Sequence, residues 1–260
     1  MGRVRAAGRT VSIVSSERDV LAMDWDTFRE WFKPRWRQGE HLSILAPTGA
    51  GKTTFAGGLL DLRRYVLAAD PKGGDETLGA LGLETLADWP GVREMDRLLE
   101  HHERHDPPLP TRFRMGPVVQ IEKDLVRMKR AIAESLDGAW QMGGWTYYID
   151  ELQVVADRRL LNLSAKVDKL LVSARSKGVS VVTAFQQPKW VTSASLTQPT
   201  WLAVGYTRDT DTVNRLAELM GRPKAEIRGA LKGLDRYCWL VVGRDPREPL
   251  VVTKPHKLGR

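Results

Sequence analysis

A chain of 260 residues is long enough to bury a full α/β core, and 42% hydrophobic with 28% charged residues is an ordinary globular balance that favours neither disorder nor membrane residence. A net charge of +8 favours a polyanionic partner such as nucleic acid, but solvated basic faces are common and charge alone does not decide. No run approaches the roughly 18 apolar residues of a spanning helix, Met1 to Ser16 lacks the apolar segment of a signal peptide, and Ala6 stands where myristoylation after Met1-Gly2 needs Ser or Thr.

Trp25, Phe28, Trp31 and Phe32 recur at helical spacing behind Asp24, predicting a capped helix that ends near Pro34 to Trp36. Leu42 to Ala46 reads as a strand entering a glycine-containing loop, and Thr54 to Leu62 as the helix after it. Tyr65 to Ala69 predicts a second strand, closed by the loop Asp70-Pro71-Lys72-Gly73-Gly74. Val92 to Arg104 and Glu122 to Leu136 read as helices, the second with Ile121, Leu125, Met128, Ile132 and Leu136 on one face; Asp106 to Pro110 is a stiff connector between them.

Trp145 to Ile149 is the next strand, and Leu160, Leu163, Val167, Leu170, Leu171 and Ala174 form the stripe of a long helix that Gly178 is placed to end. The apolar runs Val179 to Phe185, Trp201 to Tyr206 and Tyr237 to Val242 predict three more strands, with a helix over Thr210 to Met220. Cys238, the single cysteine, excludes an intramolecular disulfide and reads as a buried strand position in a cytosolic protein. Strands alternating with helices imply a mostly parallel central sheet with helices on both faces. The expected organisation is an N-terminal extension with an amphipathic helix (1–38), a core over 39–243 and a basic C-terminal tail (244–260). Arg3, Arg5 and Arg9 in front and Lys254, Lys257 and Arg260 behind are candidate flexible arms.

Ala46-Pro47-Thr48-Gly49-Ala50-Gly51-Lys52-Thr53 matches the P-loop pattern, with Ala46 in place of its first glycine. Thr48, Gly49, Ala50, Gly51, Lys52, Thr53 and Thr54 are the candidate nucleotide-binding residues. Backbone N–H groups cradle the phosphates, Lys52 neutralises the β and γ oxygens, and Thr53 offers its hydroxyl to Mg²⁺. ATP and Mg²⁺ are therefore the expected cofactors. At the end of the strand Thr146-Tyr147-Tyr148-Ile149 stand two adjacent carboxylates with separate roles. Asp150 is a candidate metal ligand, and Glu151 the group that polarises the attacking water. A water-positioning carboxylate favours hydrolysis over a nucleotide kinase, which must exclude water. Gln186, after the following strand, offers an amide to the γ-phosphate or the water.

The series Ala174-Arg175-Ser176-Lys177-Gly178, an apolar strand and then Gln186-Gln187-Pro188 resembles the FtsK/HerA superfamily, in which an Ala-Arg-x-x-Gly segment leads to Thr-Gln-Arg-Pro. Asp70-Pro71-Lys72, Asp150-Glu151 and Pro199-Thr200 add to the resemblance, which spans about residues 40 to 243. Phe185 and Gln187 depart from it. The resemblance implies a RecA-like (ASCE) P-loop NTPase fold, a homo-oligomeric ring expected to be a hexamer, and ATP-driven movement along double-stranded DNA. It implies a sensor role for Gln186 and makes Arg175 a candidate finger toward a neighbouring subunit's ATP, with Arg158 and Arg159 as rivals. Compact viral and phage genome-packaging ATPases are the members this chain resembles most, which implies a capsid portal or membrane packaging vertex as partner and a cytoplasmic or virion-associated location. Alternatives are a DNA-transfer motor of a mobile element and a nucleotide-dependent assembly switch without translocation.

Lys189 and Trp190, directly after the sensor segment, are candidates for a basic-aromatic contact to DNA, with a core role for Trp190 as the alternative. His101, His102 and His105 lie near one helical turn, but no carboxylate or cysteine pattern joins them and no zinc site is expected.

Overall fold

The structure, a computed structural model, describes residues 20–72, 76–116, 125–207 and 209–256. Its strands are β1 (Val20–Ala22), β2 (Leu42–Leu45), β3 (Val66–Ala69), β4 (Glu84–Leu86), β5 (Arg112–Met115), β6 (Thr146–Ile149), β7 (Ser180–Phe185), β8 (Trp201–Gly205), β9 (Trp239–Gly243) and β10 (Leu250–Thr253). All join one ten-stranded sheet in the order β1-β10-β9-β8-β2-β7-β6-β3-β5-β4. From β8 to β4 every pairing is parallel, and β9 runs antiparallel to both its neighbours. The mostly parallel sheet inferred from the alternation of strands and helices is the observed one.

The helices are α1 (Trp25–Phe32), α2 (Lys52–Leu60), α3 (Glu76–Gly79), α4 (Val92–Arg104), α5 (Leu125–Met142), α6 (Leu152–Ala156), α7 (Ser164–Ser173), α8 (Ser193–Thr197), α9 (Thr210–Leu219) and α10 (Lys224–Lys232). They cover both faces of the sheet, because successive strand residues point to opposite sides. In β6, Tyr147 and Ile149 enter the core under α5 and α7, while Tyr148 enters the core under α1 and α2. In β9, Leu240 and Val242 join the first core; Trp239 and Val241 join the second.

The second core is aromatic. Asp24 caps α1 through the Thr27 N–H at 2.9 Å, and the helix buries Trp25, Phe28 and Phe32. Phe28 stacks on Phe32 with centroids 5.2 Å apart, and Phe55 of α2 stacks on Trp239 at 4.6 Å. Such pairs contribute about 1 kcal/mol each beyond the area they bury. They tie the helix before β2 and a strand near the chain's end onto α2, whose first turn follows the P-loop.

Several expectations are adjusted. Leu250–Thr253, within the segment read as a tail, is a strand paired with both β9 and β1, so residues on both sides of the 39–243 core complete its sheet. Leu160 is exposed and α7 begins only at Ser164, the intervening residues forming turns held by Leu160 N–H and Asn162 N–H on the Asp157 carbonyl. Leu125 is also exposed, so the buried stripe of α5 starts at Met128. Tyr237 is not a strand residue: it occupies a turn with φ 67°, and Cys238 is half-buried one residue before β9. Ile121, Gly73, Gly74 and the candidate arms Arg3, Arg5, Arg9, Lys257 and Arg260 lie outside the described residues, whereas Lys254 is exposed just after β10.

Candidate active site

The carboxyl ends of parallel strands are where an open α/β sheet presents its loops, and the candidate residues gather there. β7 lies between β2, which leads into the P-loop, and β6, which ends at Asp150 and Glu151. Two sheet spacings, about 10 Å, therefore separate the phosphate loop from the carboxylates, and Gln186 at the end of β7 stands between them.

The loop leaves β2 at Ala46 and enters α2 at Lys52. Gly49 and Gly51 have φ 73° and 86°, left-handed values that glycine adopts without a Cβ penalty. No side chain caps the α2 N-terminus, and Pro47, Thr48 and Gly49 are exposed, so the loop and first helical turn form an accessible cradle for an anion. Thr53 and Thr54 are half-buried in that turn. Ala46, in the place of the pattern's first glycine, is buried, and its methyl is accommodated by Gly205 at the end of β8: a Cβ there would lie 2.8 Å from that of Ala46.

Lys52 is buried, and its Nζ donates to the carbonyls of Ala46 and Pro47, each at 3.1 Å. Burial lowers its pKa and the Lys72 charge adds to that effect, against the opposing pull of Glu151 and Asp150. Asp150 is buried as well, and Tyr148, two residues earlier on the same strand face, donates its hydroxyl to Asp150 Oδ1 at 2.7 Å.

Glu151 adopts φ 51°, a sparsely populated backbone region for a non-glycine residue. Three groups hold its carboxylate. Lys72 Nζ donates to Oε1 at 2.8 Å, Gln186 Nε2 donates to Oε2 at 3.1 Å, and Gln153 Nε2 donates to Oε2 as well. Burial pushes the carboxyl up, but the hydrogen bonds from Lys72 and Gln186 and the charges of Lys72 and Lys52 outweigh it and hold the pKa below the usual range. Glu151 is thus an oriented carboxylate whose ionised form is favoured. Lys72 and Gln153 are site residues that motif spacing alone does not single out. The signal is topological: β3 pairs with β6 in parallel, Ala69 opposite Ile149, so the loops after the two strands must meet.

Arg175 is not part of this cluster. It is exposed in the 3-10 turn Ala174–Lys177 that precedes β7, at the opposite end of that strand from Gln186. Arg158 and Arg159 are exposed after α6, on the loop side; Arg159 and Leu160 share a surface cleft of about 430 Å³ with Trp190, which is itself exposed rather than in the core. Lys189 Nζ lies 5.7 Å from the Trp190 ring centroid. His102 is a structural residue: it is buried, its Nδ1 meets the Pro110 carbonyl at 2.9 Å and its Nε2 lies 3.3 Å from Glu84. Among the described residues no helix is long and apolar enough to cross a membrane.

No protein-family model and no curated protein matches the chain. Among solved structures it is similar to B204, the DNA-packaging ATPase from Sulfolobus turreted icosahedral virus, with a TM-score of 0.57 at 15% identity over 85% of this chain and 100% of that one. It is similar to the genome packaging NTPase B204 from Sulfolobus turreted icosahedral virus 2 in complex with ATP-gammaS, with a TM-score of 0.56 at 12% identity over 85% and 99% of the two chains. VirB4 of Thermoanaerobacter pseudethanolicus gives a TM-score of 0.56 at 14% identity over 84% of this chain and 89% of that one. The likeness is one of fold, and it agrees with the mostly parallel α/β P-loop ATPase fold expected from the sequence.

Proposed function

We propose that this chain is an ATP-hydrolysing translocase of double-stranded DNA acting in viral or phage genome packaging. The observation that carries the reading is the oriented Glu151 carboxylate, joined to Gln186 on the strand that lies between it and an accessible P-loop. The cradle, the buried Lys52 and the buried Asp150 fit a nucleoside triphosphate with Mg²⁺: Thr53 and Asp150 would hold the metal, which would neutralise phosphate charge. Lys52 exchanges its loop carbonyls for phosphate oxygens. Gln186 reports the γ-phosphate to Glu151, and Glu151 takes the proton of the attacking water.

Similarity in fold to the packaging ATPase B204 over its whole length supports packaging, and similarity to VirB4 supports DNA transfer as the second reading. A ring of copies, expected to be a hexamer, would let Arg175 of one copy serve the site of the next, since Arg175 is remote from the site of its own chain. Lys189 and Trp190 then contact DNA, and a portal or packaging vertex receives the complex.

Purified protein should hydrolyse ATP in the presence of Mg²⁺ and do so faster with double-stranded DNA. Hydrolysis that is indifferent to DNA in every oligomeric state would leave an assembly switch instead.

A further inference from the structure

Tyr237 carries an observation that the P-loop mechanism does not use. It sits in a turn closed by the Cys238 N–H on the Asp235 carbonyl at 3.1 Å, at the third turn position, with φ 67°. Positive φ at that position belongs ordinarily to Gly or Asn, and a tyrosine there is strained. The residue is also 41% exposed, so core packing does not account for the strain.

The ring is aimed at the P-loop: Tyr237 Cδ1 lies 3.4 Å from where a Cβ on Gly51 would be. The chain geometry explains the placement. Trp239, two residues on, stacks on Phe55 of α2, and Phe55 follows Gly51 by four residues. Fixing Trp239 on Phe55 anchors the end of the turn one helical turn from Gly51, and Tyr237 lies beside Gly51 at the head of the helix. Arg236 lies over the ring, its guanidinium carbon 4.8 Å from the centroid.

A triphosphate held on the Gly51-Lys52-Thr53 backbone would sit at the end of α2 that Tyr237 adjoins, which brings the ring within reach of the nucleoside it carries. We infer that Tyr237 is the platform for the nucleotide base, an aromatic surface backed by Arg236 and held in a strained turn so that the base stacks beside the P-loop. The inference rests on the nucleotide-binding reading of that loop. Stacking on a ring accepts any base, so Tyr237 contributes affinity without choosing ATP over GTP.

Isothermal titration calorimetry with ATP and with inorganic tripolyphosphate, both with Mg²⁺, separates the base from the phosphates. Tyr237→Ala should weaken ATP binding about tenfold, leave tripolyphosphate binding unchanged and be rescued by Tyr237→Phe. Tyr237→Gly should lose ATP affinity to the same degree yet melt at a higher temperature than Tyr237→Ala, because glycine relieves the strained turn. ATP binding within twofold of wild type in Tyr237→Ala, or equal weakening of both ligands, overturns the platform. Wild-type protein that binds tripolyphosphate as tightly as ATP overturns the platform alone; protein that binds neither overturns the nucleotide site with it.

Discussion

Lys72 Nζ donates to Glu151 Oε1 at 2.8 Å, tying the loop after β3 to the second residue beyond β6. Lys72 is half-exposed, so the pair adds little to stability; its consequence is electrostatic. Lys72 lowers the Glu151 pKa both as a donor and as a charge, and so keeps the base ionised as pH falls. In Lys72→Met the acid limb of the ATPase pH–rate profile should move to higher pH, while the profile of Lys129→Met, altered far from the carboxylate, stays as in wild type.

Gln186 makes another direct link to the Glu151 carboxylate, at 3.1 Å. Gln186→Ala should reduce kcat by about a hundredfold with little change in the KM for ATP, as expected for a group that orients the reacting water rather than the bound substrate. Steady-state kinetics on the two proteins gives the split.

His41 is buried at the base of β2 with both ring nitrogens engaged: the Val181 N–H donates to Nδ1 at 3.0 Å, and Nε2 donates to the Leu171 carbonyl at 2.9 Å. That pairing requires the neutral ring. Burial lowers its pKa from 6.5 to about 4, the Leu171 carbonyl opposing and the Arg175 charge adding to the shift. A depressed folded pKa means that the unfolded chain binds the proton first, so stability is full above pH 6.5 and falls as pH drops toward 4. Denaturant titration should show a loss of about 3 kcal/mol across that window from this group, and His41→Asn should lack it.

The Ala46–Gly205 contact makes a packing prediction. A methyl on Gly205 would meet the Ala46 Cβ at 2.8 Å, so Gly205→Ala should destabilise by about 1–3 kcal/mol through overpacking. Ala46→Gly in the same chain should recover most of the loss. Thermal melts of the two single variants and the double variant measure the coupling.

What is legible in the sequence is what local chemistry dictates. Gly49 and Gly51 specify the turn of the P-loop, Lys52-Thr53 its function, and Asp24 the start of α1. The apolar runs of β2, β3, β6, β7 and β8 stand out because strands covered on both faces are apolar throughout. β5 is hidden because Arg112 and Arg114 alternate with Phe113 and Met115, their charges answered by Asp61 and Asp70. β1 and β10 are short segments at the sheet edge that only long-range pairing defines. Tyr237 reads as strand in the sequence because no glycine or asparagine marks its turn. Lys72 belongs to a visible motif, but its partner across the sheet depends on which strands are neighbours.

Translocation is the most direct test of the account. A third strand bound as a triplex on linear duplex DNA is displaced only by a protein that moves along the duplex. Wild-type protein with ATP and Mg²⁺ should release it, and Glu151→Gln, which keeps nucleotide binding but lacks the base, should not. Wild-type protein that hydrolyses ATP in the presence of the duplex and leaves the triplex in place would contradict the motor.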